Sequence, residues 1–306
     1  MATHIDRIAI PGLDRPIARL ILGVDHQTAL DQAAPVFERY LELEGNAFDT
    51  AWGYGDGLAE QILGSWIEAN RLRDEVFIID KGARAEYCTP EISRRQLAES
   101  LDRLRTDHVD VYMIHSDNPD VPVGAFVEVL HEHVESGKTK LAGVSNWSLE
   151  RVLAFNDYAQ AHGLRPVGVV SNNFSLAEMV DPVWELCLSS RSQAWRDWLQ
   201  STQTPLMPWS SQGRGFFTSR AYQGDPEIDR AWSSPGNWKR RERAVELAER
   251  EGVEPIVIAL AWVLGQPITV LPMVGPRTTD ELKASVQAFD LKLSSEVANW
   301  LEVEPV

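Results

Sequence analysis

The chain has 306 residues, 44% of them hydrophobic and 24% charged, enough to bury a large core. Its net charge of −16 repels DNA and anionic membranes and argues against nucleic-acid binding as a main role. Two cysteines, Cys88 and Cys187, are too few for a disulfide framework; no apolar leader follows Met1–Arg7, and no apolar run reaches the ~18 residues of a membrane span, so a cytoplasmic protein is expected.

In chain order, Asp6–Ile10 and Pro16–Ala18, turning at Pro11-Gly12, read as a β-hairpin. A strand-like run at Arg19–Gly23 is followed by a helical pattern at Gln27–Leu43, then Ala47–Asp49 by Leu58–Ala69, and Val76–Asp80 by Pro90–Leu104. Val109–Ile114 precedes Val123–Glu135, and Leu141–Val144 precedes Leu149–Ala161. Val167–Val170 precedes a tryptophan-rich helix near Trp195–Leu199, and the last two runs are Pro205–Pro208 and Ile268–Leu271. Thr89 before Pro90 and Ser148 before Leu149 are helix-start signals, and Gly137 and Gly163 stand where helices should stop. Between the last two strand runs, Gly213–Trp238 reads as a long Gly/Ser-rich loop over the mouth, followed by helices at Arg240–Arg250 and Pro255–Leu264.

Strands alternating with helices imply parallel pairing through crossover helices. A repeat of about 30 residues, with no G-x-G-x-x-G after the first strand, favours a (β/α)₈ TIM barrel over a doubly wound sheet. Residues 1–306 are therefore expected to form a single barrel domain, with the N-terminal hairpin across its floor and extra C-terminal helices.

Barrel enzymes place their chemistry at the carboxyl ends of the strands. Those positions hold Asp49 and Tyr54 in D-T-A-W-G-Y-G, Lys81 after the third run and His115 after the fourth. Singly, each has an ordinary reading: a loop cap, a packing ring, a solvated ammonium, a satisfied imidazole. Together, on neighbouring strands, they form a group able to deliver a proton. His131 and His133 in H-E-H lie two apart on a helix, face different ways and make a poor metal pair, so no metal is expected.

The motifs D-T-A-W-G-Y-G, L-A-E-Q-I-L-G (Leu58–Gly64), S-L-D-R-L (Ser100–Leu104), D-V-Y-M-I-H (Asp110–His115) and G-V-S-N-W (Gly143–Trp147), with Lys81, resemble the aldo-keto reductase family across nearly the whole chain. The resemblance implies an oxidoreductase that exchanges hydride between a nicotinamide cofactor and a carbonyl or alcohol: an aldehyde, a ketone or a sugar-like compound. It implies Tyr54 as general acid, with Lys81 lowering its pKa, Asp49 holding Lys81, and His115 aiming an N–H at the substrate oxygen.

By the same resemblance Ser145, Asn146 and Ser171 meet the nicotinamide carboxamide, and Trp209 stacks on its ring. Ser210, Ser211, Gln212 and Arg214 line the pyrophosphate. Gly275, Arg277 and Thr278 take the adenosine ribose, and Glu281 and Ser285 face the adenine. Ser171 departs from the family's usual Gln, with Asn172 a neighbouring substitute. The single Arg277 favours NADP(H) over NAD(H). Trp52 and Trp147, with Tyr54 and His115, are the expected substrate wall. A non-catalytic nicotinamide-binding regulatory subunit and a Schiff-base lyase using Lys81 are the competing functions.

Overall fold

A computed structural model describes residues 4–84 and 87–302. Six strands pair in parallel in sequence order: β3 (Ile21–Gly23), β4 (Ala47–Asp49), β5 (Phe77–Gly82), β6 (Val109–Ile114), β7 (Thr139–Ser145) and β8 (Val170–Ser171). β9 (Met273–Val274) pairs in parallel with β3. The gap between β8 and β9 is closed by Leu206, which bridges Val170 on one side and Val270 on the other. Val170 N–H donates to Pro205 O at 3.0 Å, and Leu206 N–H to Thr269 O at 2.8 Å. The ring is a closed (β/α)₈ barrel without free edges.

Barrel strands covered on both faces are largely apolar, and every residue of β5 and β6 is buried, including Asp80, Lys81 and Asp110. Helices α1 (Leu30–Glu42), α2 (Leu58–Asn70), α3 (Pro90–Leu104), α4 (Val123–Glu135), α5 (Leu149–His162) and α6 (Gln193–Thr202) alternate with the strands. Thr89 Oγ1 accepts from Ile92 N–H at 3.3 Å and Ser148 Oγ from Arg151 N–H at 3.2 Å, so both expected caps form. The resemblance motifs also hold the wall together. Glu60 is fully buried and accepts from Arg103 at 2.8 Å, while the same guanidinium donates to Trp52 O at 3.0 Å. A Cβ on Gly64 would lie 2.7 Å from Arg103 O, so α2 and α3 approach this closely only because that position has no side chain.

The hairpin pairs β1 (Arg7–Ile8) antiparallel to β2 (Ile17–Ala18) and crosses the floor, where Arg15 donates to Glu75 O and Val76 O just ahead of β5. Some boundaries differ from the sequence reading. Lys81 lies inside β5 rather than after it, and the sixth barrel strand is the short Val170–Ser171, not Val167–Val170. The expected long loop is partly helical: α7 (Pro226–Ala231) lies within it and α8 (Pro235–Glu251) begins before its end. Asp225 and Ser234 cap these helices and each is followed by proline, the same signal that marked α3. α9 (Pro255–Leu264), α10 (Thr279–Gln287) and α11 (Ser295–Leu301) complete the chain.

His133 on α4 is 1% exposed, 3.1 Å from Ser93 Oγ and edge-on to the Tyr112 ring. Burial pushes it down to about 4. Between pH 6.5 and 4 the unfolded chain thus binds a proton that the folded chain refuses, and stability falls as pH falls. The loss is about 1.4 kcal/mol per pH unit, on the order of 3 kcal/mol across the window. Urea midpoints at pH 7 and pH 5 should converge in His133→Gln; an unchanged pH slope would remove His133 from this role.

Candidate active site

The mouth loops continue the ladder of the wall. Thr50 N–H donates to Ile79 O, Trp52 N–H to Lys81 O and His115 N–H to Gly82 O, each at 2.8 Å. These bonds fix where Asp49, Lys81 and His115 emerge. Tyr54 opens a tight turn in which Gly55, Asp56 and Gly57 all have positive φ (56°, 54° and 89°). Gly and Asp tolerate that conformation at least cost, which is why the motif reads Y-G-D-G.

The turn brings the Tyr54 and His115 rings edge to face, centroids 5.8 Å apart at 79°. Lys81 Nζ lies 5.2 Å from the Tyr54 ring centroid. It is paired with Asp49 Oδ1 and donates to Thr50 O at 2.8 Å, the two charged side chains being only 3% and 6% exposed. Phenol, ammonium, carboxylate and imidazole therefore share one pocket at the carboxyl end of the barrel.

The electrostatics correct one expectation. Tyr54 is held well above its ordinary pKa, first by burial, then by the negative fields of Asp49 and Asp25. Arg84 is the cation that pulls it down, against those larger effects, and Lys81 is already paired with Asp49. Burial raises the Asp49 carboxyl even against the pull of Lys81. Burial, then Lys81 and Arg84, hold His115 well below the usual histidine range, so its ring is neutral near pH 7 and has one N–H to give.

The residues matched to a nicotinamide form a hydrogen-bonded chain. Asn146 Nδ2 donates to His115 O at 3.1 Å and to Ser145 Oγ at 3.2 Å. Its Oδ1 accepts from Trp209 Nε1 at 3.1 Å and from Leu188 N–H at 3.2 Å. Ser145 Oγ donates to Ser171 O at 2.7 Å. The Ser171 hydroxyl is fully buried and has no partner among the described residues, an unmet polar atom beside that chain, and in this respect the residues fit a carboxamide. Asn172 does not stand in for it: both ends of its amide hold the main chain of Trp147, at 3.2 and 2.8 Å.

Trp209 is 9% exposed and packs against Trp184, centroids 4.5 Å apart at 38°, so one face of its ring is already covered. Ser210 takes a positive φ of 50°. Ser211 is fully buried and donates to Met273 O at 2.7 Å, a structural bond that ties the loop to β9. Gln212 reaches Ser285 Oγ at 3.4 Å. Arg214 pairs with Glu227 on α7; burial raises the Asp25 carboxyl, but His26, and after it Arg214, hold it below its usual range.

Thr278 caps α10, accepting from Glu281 N–H at 3.2 Å, and Glu281 Oε2 in turn accepts from Arg277 N–H at 2.6 Å. Glu281 is thus engaged at the helix end. The Arg277 side chain is exposed and makes no ion pair or side-chain hydrogen bond with the described residues, and Gly275 lies beside His26.

Trp147 is a correction. It is fully buried, edge-on to Phe126 of α4 and Phe155 of α5, in the outer helix layer and not at the mouth. Asn146, with φ of 57°, turns the chain just ahead of it. Trp52 is half-buried and its indole donates to Glu99 of α3 at 2.6 Å, with Arg103 over its ring. Residues that the motifs did not single out include Arg84, whose charge reaches both Tyr54 and His115 and which lies 5.7 Å from the Trp184 ring. Asp25 is another, and its field reaches Asp49 and Tyr54. No helix among the described residues is long and apolar enough to cross a membrane.

Residues 20–302 match the aldo/keto reductase family. The chain is 29% identical to norsolorinic acid reductase stcV of Emericella nidulans, over 87% of this chain and 70% of the relative. It is 27% identical to the aldo-keto reductase YhdN of Bacillus subtilis, over 90% and 82%. An aryl-alcohol dehydrogenase of Pestalotiopsis microspora is 25% identical, over 89% and 72%. A match over most of the length, on a closed barrel with this mouth, identifies the chain as a member of the aldo/keto reductase family.

Proposed function

We propose that this protein reduces a carbonyl compound, or oxidises the corresponding alcohol, with Tyr54 exchanging the proton. The observation that carries the reading is the edge-to-face contact of Tyr54 with a neutral His115 beside the buried Asp49–Lys81 pair. A bound reduced nicotinamide supplies the hydride. The chain's own residues do the rest: the His115 N–H orients the carbonyl oxygen, and the Tyr54 hydroxyl gives it a proton as charge develops. The Asp49–Lys81 pair keeps a fixed dipole beside the phenol in a poorly solvated pocket. Ser145, Asn146 and Ser171 would hold the carboxamide, and Arg277 and Arg214 the phosphates.

Among the expected substrates, the mouth supports an aromatic or otherwise apolar carbonyl over a sugar-like one. Leu186 and Leu188 are 46% and 38% exposed on the segment that carries Trp184, and Leu188 is bonded directly to Asn146. Relatives are named for an aryl alcohol and for norsolorinic acid, which agrees. A Schiff-base role for Lys81 is disfavoured, since its ammonium is paired with Asp49 and bonded to Thr50 O.

The direct test is fluorescence titration with NADPH and NADH, then turnover on a panel of aromatic, aliphatic and sugar aldehydes. Reduction of the aromatic members is expected; cofactor binding without turnover on any would favour the regulatory-subunit reading. Arg277→Ala should weaken NADPH about tenfold, the worth of one charge-assisted contact at an exposed site, and NADH less than about twofold. Equal weakening of both would mean that no 2′-phosphate is read at Arg277.

A further inference from the structure

The loop after β5 and the loop after β8 meet across the mouth, and Arg84 and Trp184 make the contact. The Arg84 guanidinium carbon lies 5.7 Å from the centre of the Trp184 ring, near the outer limit for a cation–π pair. Trp184 in turn packs on Trp209, whose indole is bonded to Asn146. Arg84 therefore stands over the pocket rather than on the outer wall, and its charge reaches both Tyr54 and His115.

This guanidinium has little else to hold. Arg84 is exposed, and among the described residues its side chain makes no hydrogen bond and no ion pair. By contrast Arg103 is bonded to Glu60 and to Trp52 O, and Arg151 makes two bonds to the Asp117 carboxylate. Lys81, the other cation whose charge reaches His115, is paired with Asp49. A planar fork with free donors suits a carboxylate, which it can grip with two parallel bonds. In a chain of net charge −16, an unpaired cation at the mouth also draws in an anion that the rest of the surface repels. The neighbouring surface is apolar, since Leu186 and Leu188 are exposed on the segment that carries Trp184. A ligand that satisfies both surfaces has an apolar body with one anionic group.

We propose that Arg84 is a specificity-determining residue of this mouth, and that the substrate is an aromatic or apolar carbonyl compound that also carries a carboxylate. This deepens the carbonyl-reduction reading and rests on it. Hydride goes to the carbonyl carbon and the Tyr54 proton to its oxygen. The carboxylate is chemically unchanged and accepts from the Arg84 N–H groups, while the apolar body meets Leu186 and Leu188.

The test compares three aldehydes of like shape and different charge: para-formylbenzoate, its methyl ester and para-trimethylammoniobenzaldehyde. The kcat/KM ratio of the anion over the ester should fall about tenfold in Arg84→Leu, mainly through KM, the worth of one charge-assisted contact at an exposed site. Arg84→Glu should raise the cationic aldehyde above the anion. Arg84→Lys should keep part of the preference, because an ammonium retains the charge but not the fork. Any general effect of the lost field on Tyr54 or His115 falls on all three aldehydes alike and cancels in the ratio. A second readout needs no turnover: calorimetric titration of para-hydroxymethylbenzoate, the alcohol product, into the full chain saturated with NADPH. It should bind about tenfold more weakly to Arg84→Leu. An unchanged ratio, or unchanged affinity for the alcohol, would overturn the proposal. So would a loss of NADPH affinity with the ratio unchanged, which would assign Arg84 to the cofactor. Turnover of none of the aldehydes, with alcohol binding still dependent on Arg84, would instead overturn the reduction reading and leave anion recognition at Arg84 standing.

Discussion

Tyr54→Phe should lower the turnover number for carbonyl reduction by about 10²- to 10⁴-fold, the usual worth of a positioned general acid. Cofactor affinity should stay within about twofold, an expectation set by confining the change to one hydroxyl on the substrate side of the pocket. The phenol's pKa is raised well above its ordinary value, mainly by burial, so the donor keeps its proton through and beyond neutrality. Reduction should therefore stay level from pH 6 to pH 9. The reverse reaction needs the phenolate as base and should accelerate as pH rises through that range. His115, neutral because burial depresses it, should add no inflection near pH 6.5. Steady-state kinetics in both directions across pH checks all three. Residual turnover in the Phe variant near the wild-type level would transfer the acid role elsewhere.

Lys81→Met should destabilise the fold by about 3–5 kcal/mol, because it strands the Asp49 carboxylate in a pocket where the pair is almost wholly covered. Asp49 already has a raised pKa from burial, so it can take up a proton, which places the loss at the lower end of that range near neutral pH. Asp49→Asn combined with Lys81→Met should recover most of the lost stability, as neutral groups of similar size replace a desolvated ion pair. Turnover should not recover, since the cation 5.2 Å from the Tyr54 ring is gone. Urea unfolding of the two single variants and the double supplies the coupling energy. Additive losses would mean that the two charges do not depend on each other.

Much of the barrel was legible because its strands are short apolar runs bounded by caps and turns. Thr89-Pro90 and Ser148 set helix starts, and the hairpin turn at Pro11-Gly12 set the floor. The same grammar was present at Asp225-Pro226 and Ser234-Pro235, but the surrounding Gly and Ser hid two helices inside an apparent loop. Lys81 read as a loop residue because two consecutive charges, Asp80 and Lys81, close the apolar run, whereas the pair with Asp49 lets Lys81 remain in β5.

The site was legible only as an ordered set of strand-end residues. Trp147 misled because its address in the chain lies at the mouth, while the left-handed turn at Asn146 precedes a side chain packed between α4 and α5. Arg84 and Trp184 escaped notice because they meet across 100 positions of sequence, 84 to 184, a relation that no local pattern encodes. Tyr54's raised pKa escaped notice for a similar reason: the phenol's proximity to Lys81 was foreseeable, but not its burial or the fields of Asp49 and Asp25.

The wall of the barrel is unevenly sewn. β5 and β6 share a four-residue register, whereas the seventh stave is only four residues long, Pro205–Pro208, and joins its neighbours through bridges at Leu206 and main-chain bonds at Pro205, Met207 and Pro208. Trp209 to Gly215, the stretch that would embrace a dinucleotide, follows directly on that short stave. The phenol and ammonium stand on the tightly sewn side. The proton-handling side chains thus stand on or beside long paired strands, and the stretch that would embrace a long guest begins where a short stave ends.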